Sequence, residues 1–441
     1  MSNIISLIGL LLGVVLLMYL VYRGMNVVVM TILCSLLIAV TSGMDVLDTF
    51  TNIYMSRFGT MIGVLGAIFI FGAIIGAIYD ASGAAYSLVR FFSTHIRTDN
   101  PKAKSLVSVL CVMVITVGLG YFGVDTLVLI FLTVPVCTAF CREFNWSAKF
   151  VPVLIMSGPL ANILPGAAQN YNIIPTRYLD THPMSSALPG FIACAVGFVL
   201  ILLYTTYSIN KSIAAGEVFE ENEQLRNQKA ERDSYPPVWL AFLPLLSIFI
   251  CFNVLSLTIE VALFTGAVLS VALLWKYMDS VPDTLNKGIG NAARTVLNFG
   301  ALMGFAKVAM STPVFTSLVD AIASNQNSDP VLITVASVAL LTGIGNSATS
   351  GITASMEAFL DYYLSRGVSP AVIHRVATLT GATLDTLPTN SGVIISMNMT
   401  GSTHKQSYKY IFVNTVLIPF IVVILYVLLI KLFPMIASWP I

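Results

Sequence analysis

Charge is what this sequence lacks. Only 10% of its 441 residues are Asp, Glu, Lys or Arg, while 57% are hydrophobic. A soluble domain carries about 25% charged residues. The shortage affects both signs, with 22 basic and 21 acidic residues. A soluble enzyme and a disordered scaffold are excluded, and so is a nucleic-acid binder, which needs a basic face. Histidine and cysteine are scarce too. His95, His182, His374 and His404 fall in or near loops, which argues against a histidine proton relay at mid-membrane. Cys34, Cys111, Cys137, Cys141, Cys194 and Cys251 lie scattered in apolar segments, with no C-x-x-C and no Cys/His cluster. No metal site and no cofactor are expected. Catalytic motifs are missing: there is no G-x-x-x-x-G-K-[ST], H-E-x-x-H or G-x-S-x-G. The chain reads as no enzyme and no ATP-driven pump. Transport must then draw on an ion gradient or on the substrate's own.

What is present is a series of long apolar stretches, among them Ile4–Tyr22, Met25–Val40, Val238–Phe252 and Tyr410–Phe433. Each approaches the ~20 residues that cross a ~30 Å hydrocarbon core as a helix. The ~10-residue alternating segments of a membrane barrel are absent. The fold class is an all-α polytopic membrane protein. The N-terminus lacks the basic region and A-x-A site of a cleavable signal.

The chain also repeats itself. Gly120 matches Gly343, Gly158 matches Gly381 and Leu164-Pro165 matches Leu387-Pro388, all at an offset of 223. Gly72–Gly76 matches Gly300–Gly304 at 228. Ten of the 43 charges fall in Lys211–Asp233. This divides the chain into a first repeat (1–210), a charged cytoplasmic linker (211–236) and a second repeat (237–441). Crossings in the first repeat fall at about 4–22, 25–43, 58–79, 149–174 and 188–209. Residues 103–141 form two apolar arms around a Gly-rich break, read as a re-entrant hairpin. Residues 44–57 and 81–95 are amphipathic and are expected along the interface. The second repeat has its hairpin at about 329–362 and its broken helix at 371–398.

Five crossings per repeat is an odd number, so the second repeat must be inverted, an architecture common among secondary transporters. The basic residues test this. With 80–104 cytoplasmic, the outer segments hold Arg57, Arg177, Arg366, Arg375 and Lys431. Sixteen others are cytoplasmic, and Lys307 alone falls within the membrane. Both termini are then outside, in a cytoplasmic (inner) membrane.

Inverted-repeat transporters bind substrate where broken helices meet near the midplane. Four breaks are visible. The first is 118–126, with Gly123 and Asp125. The second is 158–170, with Asn162 and Gln169. The third is 342–351, with Asn346, Ser347, Thr349 and Ser350. The fourth is 383–392, with Asp385, Thr389, Asn390 and Ser391. Backbone N–H groups and Ser, Thr and Asn side chains can receive a carboxylate without a fixed counter-charge. These residues are the candidate substrate ligands. Ionisable groups inside a membrane are functional candidates, so Asp385, Asp125 and Lys307 are candidates for ion coupling.

GAIIGAIYDASG at Gly72–Gly83, GALMGFAK at Gly300–Lys307, GNSATSGIT at Gly345–Thr353, LDTLPTNSG at Leu384–Gly392 and TGSTHKQSY at Thr400–Tyr408 resemble the gluconate permease family. The closest look is to its 3-hydroxybutyrate permease branch. The resemblance covers most of the chain and is strongest after residue 290. It implies membership of the ion transporter superfamily, with inverted repeats, two hairpins, scaffold and transport domains and a homodimer. It also implies proton symport of a hydroxy-monocarboxylate. The scaffold would be built from the first crossings of each half, about 1–79 in the first, and the hairpins and broken helices would move against it as one block in an elevator motion. Asn346, Ser347 and Thr349 at one tip, with Asp385, Thr389 and Asn390 in the broken helix, would line the site. One departure is Thr389-Asn390, where relatives often carry His-Asn. The expected partners are therefore a small organic anion, a coupling cation (H⁺, with Na⁺ as the alternative) and membrane lipid. An uncoupled organic-anion facilitator is a further alternative.

Overall fold

A computed structural model describes residues 3–23, 25–95, 100–121, 126–167, 169–220, 235–251, 255, 257–315, 317 and 329–437. Every regular element among these residues is a helix. Composition requires this, because in hydrocarbon each backbone N–H and C=O must find its partner within its own segment.

Helices α1 (Asn3–Tyr22) and α2 (Val27–Thr41) form an antiparallel pair, and the Asn26 side chain accepts from the N–H groups of Val28 and Val29 to start the second. A π-helical stretch, Thr49–Met55, leads into α3 (Ser56–Ser82), which stops at Gly83 with a left-handed φ of 75°. Helix α4 (Ala84–His95) follows, then the arms α5 (Pro101–Tyr121) and α6 (Thr126–Glu143). The next crossing is broken. A five-residue helix, Val151–Ile155, gives way to a 3₁₀ turn, Gly158–Ile163, and then to α7 (Asn170–Leu179). Helix α8 (Ala187–Ala214) closes the first half, and its last turn takes in the start of the charged linker.

The second half holds α9 (Val238–Phe249), α10 (Ile259–Leu274), α11 (Val281–Met310), the arms α12 (Pro330–Gly345) and α13 (Ala348–Ser365), and a second broken crossing, α14 (Pro370–Gly381) and α15 (Ser391–Thr400). Helix α16 (His404–Phe412) passes through a π-helical stretch, Val413–Leu417, into α17 (Ile418–Leu432). Elements thus stand where the apolar stretches place them, and both expected arm pairs are helix pairs.

Among the described residues three helical spans are each long and apolar enough to cross a membrane: Ala187–Ala214, Ile259–Tyr277 and His404–Leu432. Shorter apolar helices include Ile4–Leu20, Val27–Thr41 and Pro330–Gly345. Their outward faces are apolar. Ile8, Leu12 and Val15 on α1, Val199 and Leu203 on α8, and Ile424 and Leu428 on α17 are all exposed. Continuous rows of this kind are what a lipid-facing surface needs and what a soluble surface avoids.

The centre is built from equivalent pieces of the two halves. Helices α3 and α11 pack closely and run antiparallel. Gly288 abuts Ile74, Gly300 abuts Phe58, and Gly304 abuts Tyr54. Phe69 and Phe299 meet with ring centroids 5.5 Å apart.

Some contacts occur twice, 223 residues apart. Gly120 faces Ala161, and Gly343 faces Leu384. Gly158 faces Leu129, and Gly381 faces Ile352.

Candidate functional site

The fourth break is where the chain's polar bonds concentrate. Helix α14 ends at Gly381, and the backbone does not resume a helix until Ser391. Asn390 starts α15, its Oδ1 accepting from the N–H of Gly392 at 2.7 Å and of Val393 at 3.2 Å. This is ordinary N-capping, which explains why the second half-helix begins there. The non-helical residues are held from several sides. Tyr408 Oη donates to the Thr386 carbonyl at 3.1 Å. Thr386 Oγ1 donates to Thr415 Oγ1 at 2.6 Å. His404 Nε2 lies 2.8 Å from the Pro388 carbonyl.

The third break is the tip between α12 and α13. Asn346 takes a left-handed φ of 52°, a conformation that Asn tolerates better than most residues. Ser347 caps α13, its Oγ accepting from the Ser350 N–H at 3.4 Å.

Two links tie this tip to the fourth break. Asn346 Nδ2 donates to the Thr389 carbonyl at 2.7 Å, while Thr389 Oγ1 donates to Asn346 Oδ1 at 3.2 Å. Asp385 makes the second link. Its Oδ1 accepts from the Ala348 N–H, the first of α13, at 2.8 Å. Its Oδ2 accepts from Tyr171 Oη at 2.6 Å. Asn390 Nδ2 approaches Oδ1 at 3.5 Å. A carboxylate therefore sits at the N-terminus of a tip helix, where the helix dipole favours negative charge. Among the described residues no Lys or Arg forms an ion pair with it.

The second break shows the matching arrangement without the charge. Asn162 Nδ2 donates to Thr126 Oγ1, at the start of α6, at 2.8 Å. Residues 162 and 385 stand at the repeat offset, so each broken segment reaches the start of the second arm. Gln169 Nε2 donates to the Gly120 carbonyl at 2.6 Å, tying the break to the end of α5.

The structure thus brings Asn346, Ser347, Thr389, Asn390 and Asp385 together, with Ser391 buried beside them. Ser350 joins them through the Ser347 cap, and Thr349 is exposed on the same turn. Asn162 and Gln169 stabilise the second break. Gly123 and Asp125 lie outside the described residues. Lys307 is exposed near the end of α11 and is not joined to the Asp385 group by any ion pair among the described residues.

Several participants were not read from the sequence. Tyr171 stands two residues after Gln169 and joins the first half to Asp385. His374 and His404 do not lie idle in loops. His374 is fully buried within α14, its Nδ1 2.7 Å from Thr181 Oγ1 and its Nε2 without a partner among the described residues. Arg375, counted above in an outer segment, is fully buried in the same helix. Its guanidinium donates to Asn172 Oδ1 at 2.7 Å, to the Pro183 carbonyl at 2.6 Å and to the Ser185 carbonyl at 2.9 and 3.1 Å. Asn172 in turn donates to the carbonyls of Asn162 and Leu164. Among the described residues no three of His, Cys, Asp and Glu gather as a metal site.

Comparison with known proteins agrees with this reading. Residues 5–252, more than half of the chain, match the model of the GntP family permeases. An uncharacterised transporter of Bacillus subtilis (strain 168), YxjC, is 28% identical over 461 aligned positions, covering 93% of this chain and 96% of the relative. That alignment extends well past residue 252 and so takes in the later motifs. Apolar helices, polar breaks and a permease match together describe a multi-pass membrane transporter and not an enzyme, and the chain belongs to the GntP family of permeases.

Proposed function

We propose that the protein is a secondary active importer of a small hydroxylated or short-chain organic carboxylate, such as 3-hydroxybutyrate or gluconate, coupled to H⁺. The observation that carries this reading is Asp385. It occupies the N-terminus of tip helix α13 with no cation paired to it among the described residues.

The coupling follows from electrostatics. A substrate carboxylate is drawn to the positive helix N-termini at the start of α13 and α15. Asp385 already presents a negative charge at the first of these. Two carboxylates in one low-dielectric site repel, and the repulsion is relieved when one takes a proton. Protonated Asp385 loses its claim on the helix dipole and leaves that end to the substrate. Binding of substrate and proton then favour each other reciprocally. The pair is neutral in sum, and a neutral load is the one that crosses hydrocarbon at least cost. Asn346, Ser347, Thr389 and Asn390 supply polar groups around the anion, with Thr349, Ser350 and Ser391 on the adjoining turns.

For movement we propose two repeats of inverted topology, with α5–α6 and α12–α13 as re-entrant hairpins. The antiparallel packing of α3 on α11 and the twice-occurring contacts support the inversion. The hairpins and broken helices move as one block against a scaffold built from the first crossings of each half, in a homodimer, as the family resemblance implies.

Purified protein in liposomes tests the function. Radiolabelled 3-hydroxybutyrate or gluconate should accumulate above equilibrium when the outside is acidic. A facilitator would never exceed equilibrium. Substituting choline for Na⁺ at fixed pH tests sodium coupling, which would end accumulation.

A further inference from the structure

Beside the fourth break lies a small cavity whose lining includes no residue of α12 or α13. Asp385, Thr386, Asn414, Thr415, Ser157 and Tyr171 are its polar lining residues. It offers about 20 Å³ to the centre of a water-sized sphere, which is room for one water or one bare alkali ion.

The hydroxyl protons here are already committed. Ser157 Oγ donates to the Leu154 carbonyl, and Thr415 Oγ1 donates to the Ile411 carbonyl at 2.8 Å. Thr386 Oγ1 gives its proton to Thr415, and Tyr171 Oη gives its own to Asp385. The amide of Asn414 donates to Thr205 Oγ1 at 2.8 Å. The other end of that amide is Oδ1. Asn414 is 1% exposed, and its Oδ1 has no hydrogen-bond partner among the described residues. A buried acceptor without a donor costs about 1–3 kcal/mol. The hydroxyls of this cavity are therefore left with oxygen lone pairs, beside the Asn414 Oδ1 and the Asp385 carboxylate.

The backbone supports the same reading. Asn414 and Thr415 lie in the π-helical stretch Val413–Leu417. Single π turns of this kind are frequent at functional sites.

We infer that this cavity is a binding site for one monovalent cation, a hydrated proton or a sodium ion, with Asn414 Oδ1 and the Asp385 carboxylate as its principal ligands. The inference deepens the transport reading above by placing the coupling ion in a cavity that α12 and α13 do not line. The cation supplies the positive charge or proton that the unpartnered oxygen and the carboxylate lack. Substrate and cation would meet only through Asp385.

The test begins with purified full-length protein and no organic anion. Its unfolding midpoint is followed as Na⁺ replaces choline at fixed pH, and separately as pH falls at fixed choline. Stabilisation in one arm identifies the cation, and stabilisation in neither arm overturns the site. Asn414→Ala should raise the cation concentration needed for half-maximal stabilisation by about tenfold or more, the loss of one charge-assisted contact. In liposomes the same variant should need correspondingly more cation for half-maximal substrate uptake. Thr205→Val removes the bond to the Asn414 amide while leaving Oδ1 in place, and should stay within about twofold of wild type. An equal shift in Thr205→Val would make Asn414 a scaffold residue and sink the proposal. The stabilisation is read without transport, so a failure of the cation site and a failure of the transport reading are separable.

Discussion

At the residue scale, the sequence exposes what is rare and hides what is paired. Asp385 stands out because an acid in an apolar stretch is costly, and the structure gives it a position at the start of α13. Asp385→Asn should bind substrate with an affinity that no longer changes with pH, whereas wild-type affinity should strengthen as pH falls. Isothermal titration across pH 5–8 checks this, and parallel pH profiles for the two proteins would remove Asp385 from the coupling. Arg375 was legible only as one more basic residue, because nothing in its neighbours predicts that distant carbonyls will receive it. Its three acceptor residues, Asn172, Pro183 and Ser185, come from around α7 and the turn before α8. Losing the guanidinium leaves buried acceptors unpaired at about 1–3 kcal/mol each. Arg375→Met should lower the unfolding midpoint markedly. Arg375→Lys should recover only part of it, since an ammonium cannot fill a planar fork. Equal midpoints for all three proteins would show that the network carries no stability.

At the element scale, apolar length places the helices and glycine marks where they approach one another. A Cβ on Gly351 would lie 2.4 Å from the Thr342 backbone nitrogen, so α12 and α13 can be this close only without it. A Cβ on Gly290, in α11, would meet nothing within 4 Å. Gly351→Ala should therefore destabilise by about 1–3 kcal/mol through overpacking. Gly290→Ala should be neutral or slightly stabilising, by up to about 1 kcal/mol of helix propensity. Thermal unfolding in detergent distinguishes them, and equal effects would mean that the arms are looser than described. The end of α8 offers a pH test outside the membrane. Lys149 and Ser212 donate to Glu217 and hold its carboxyl below the usual 4.5. A lowered folded-state pKa stabilises above pH 4.5 and is lost as pH falls through the lower folded value. Wild type should exceed Glu217→Gln in midpoint at pH 7, and the gap should close in acid. A gap that widens in acid would reverse the assignment. What composition could not reveal at this scale were π-helical stretches such as Thr49–Met55 and Val413–Leu417, because apolar patterning places a helix without setting how wide its turns are.

At the scale of the whole molecule, the repeat offset of 223 was legible in the chain, and contacts recurring at that spacing give it spatial meaning. The hairpin at 118–126 was legible only as a break, and its tip residues Gly123 and Asp125 fall outside the described part. The proposed orientation puts the linker in the cytoplasm. A cysteine at Ala215, an exposed position, should react with an impermeant thiol reagent only after cells are opened. Labelling in intact cells would turn the molecule over. Elevator movement, inversion and the coupling ion all serve one claim, that the organic anion and a cation cross together with Asp385 as the joint between them. The most direct measurement is proton uptake itself. Proteoliposomes in weak buffer, sodium-free, should alkalinise their medium when 3-hydroxybutyrate or gluconate is added, and Asp385→Asn proteoliposomes should not. Substrate uptake by wild type with no change in external pH, or an equal change in the variant, would contradict the account.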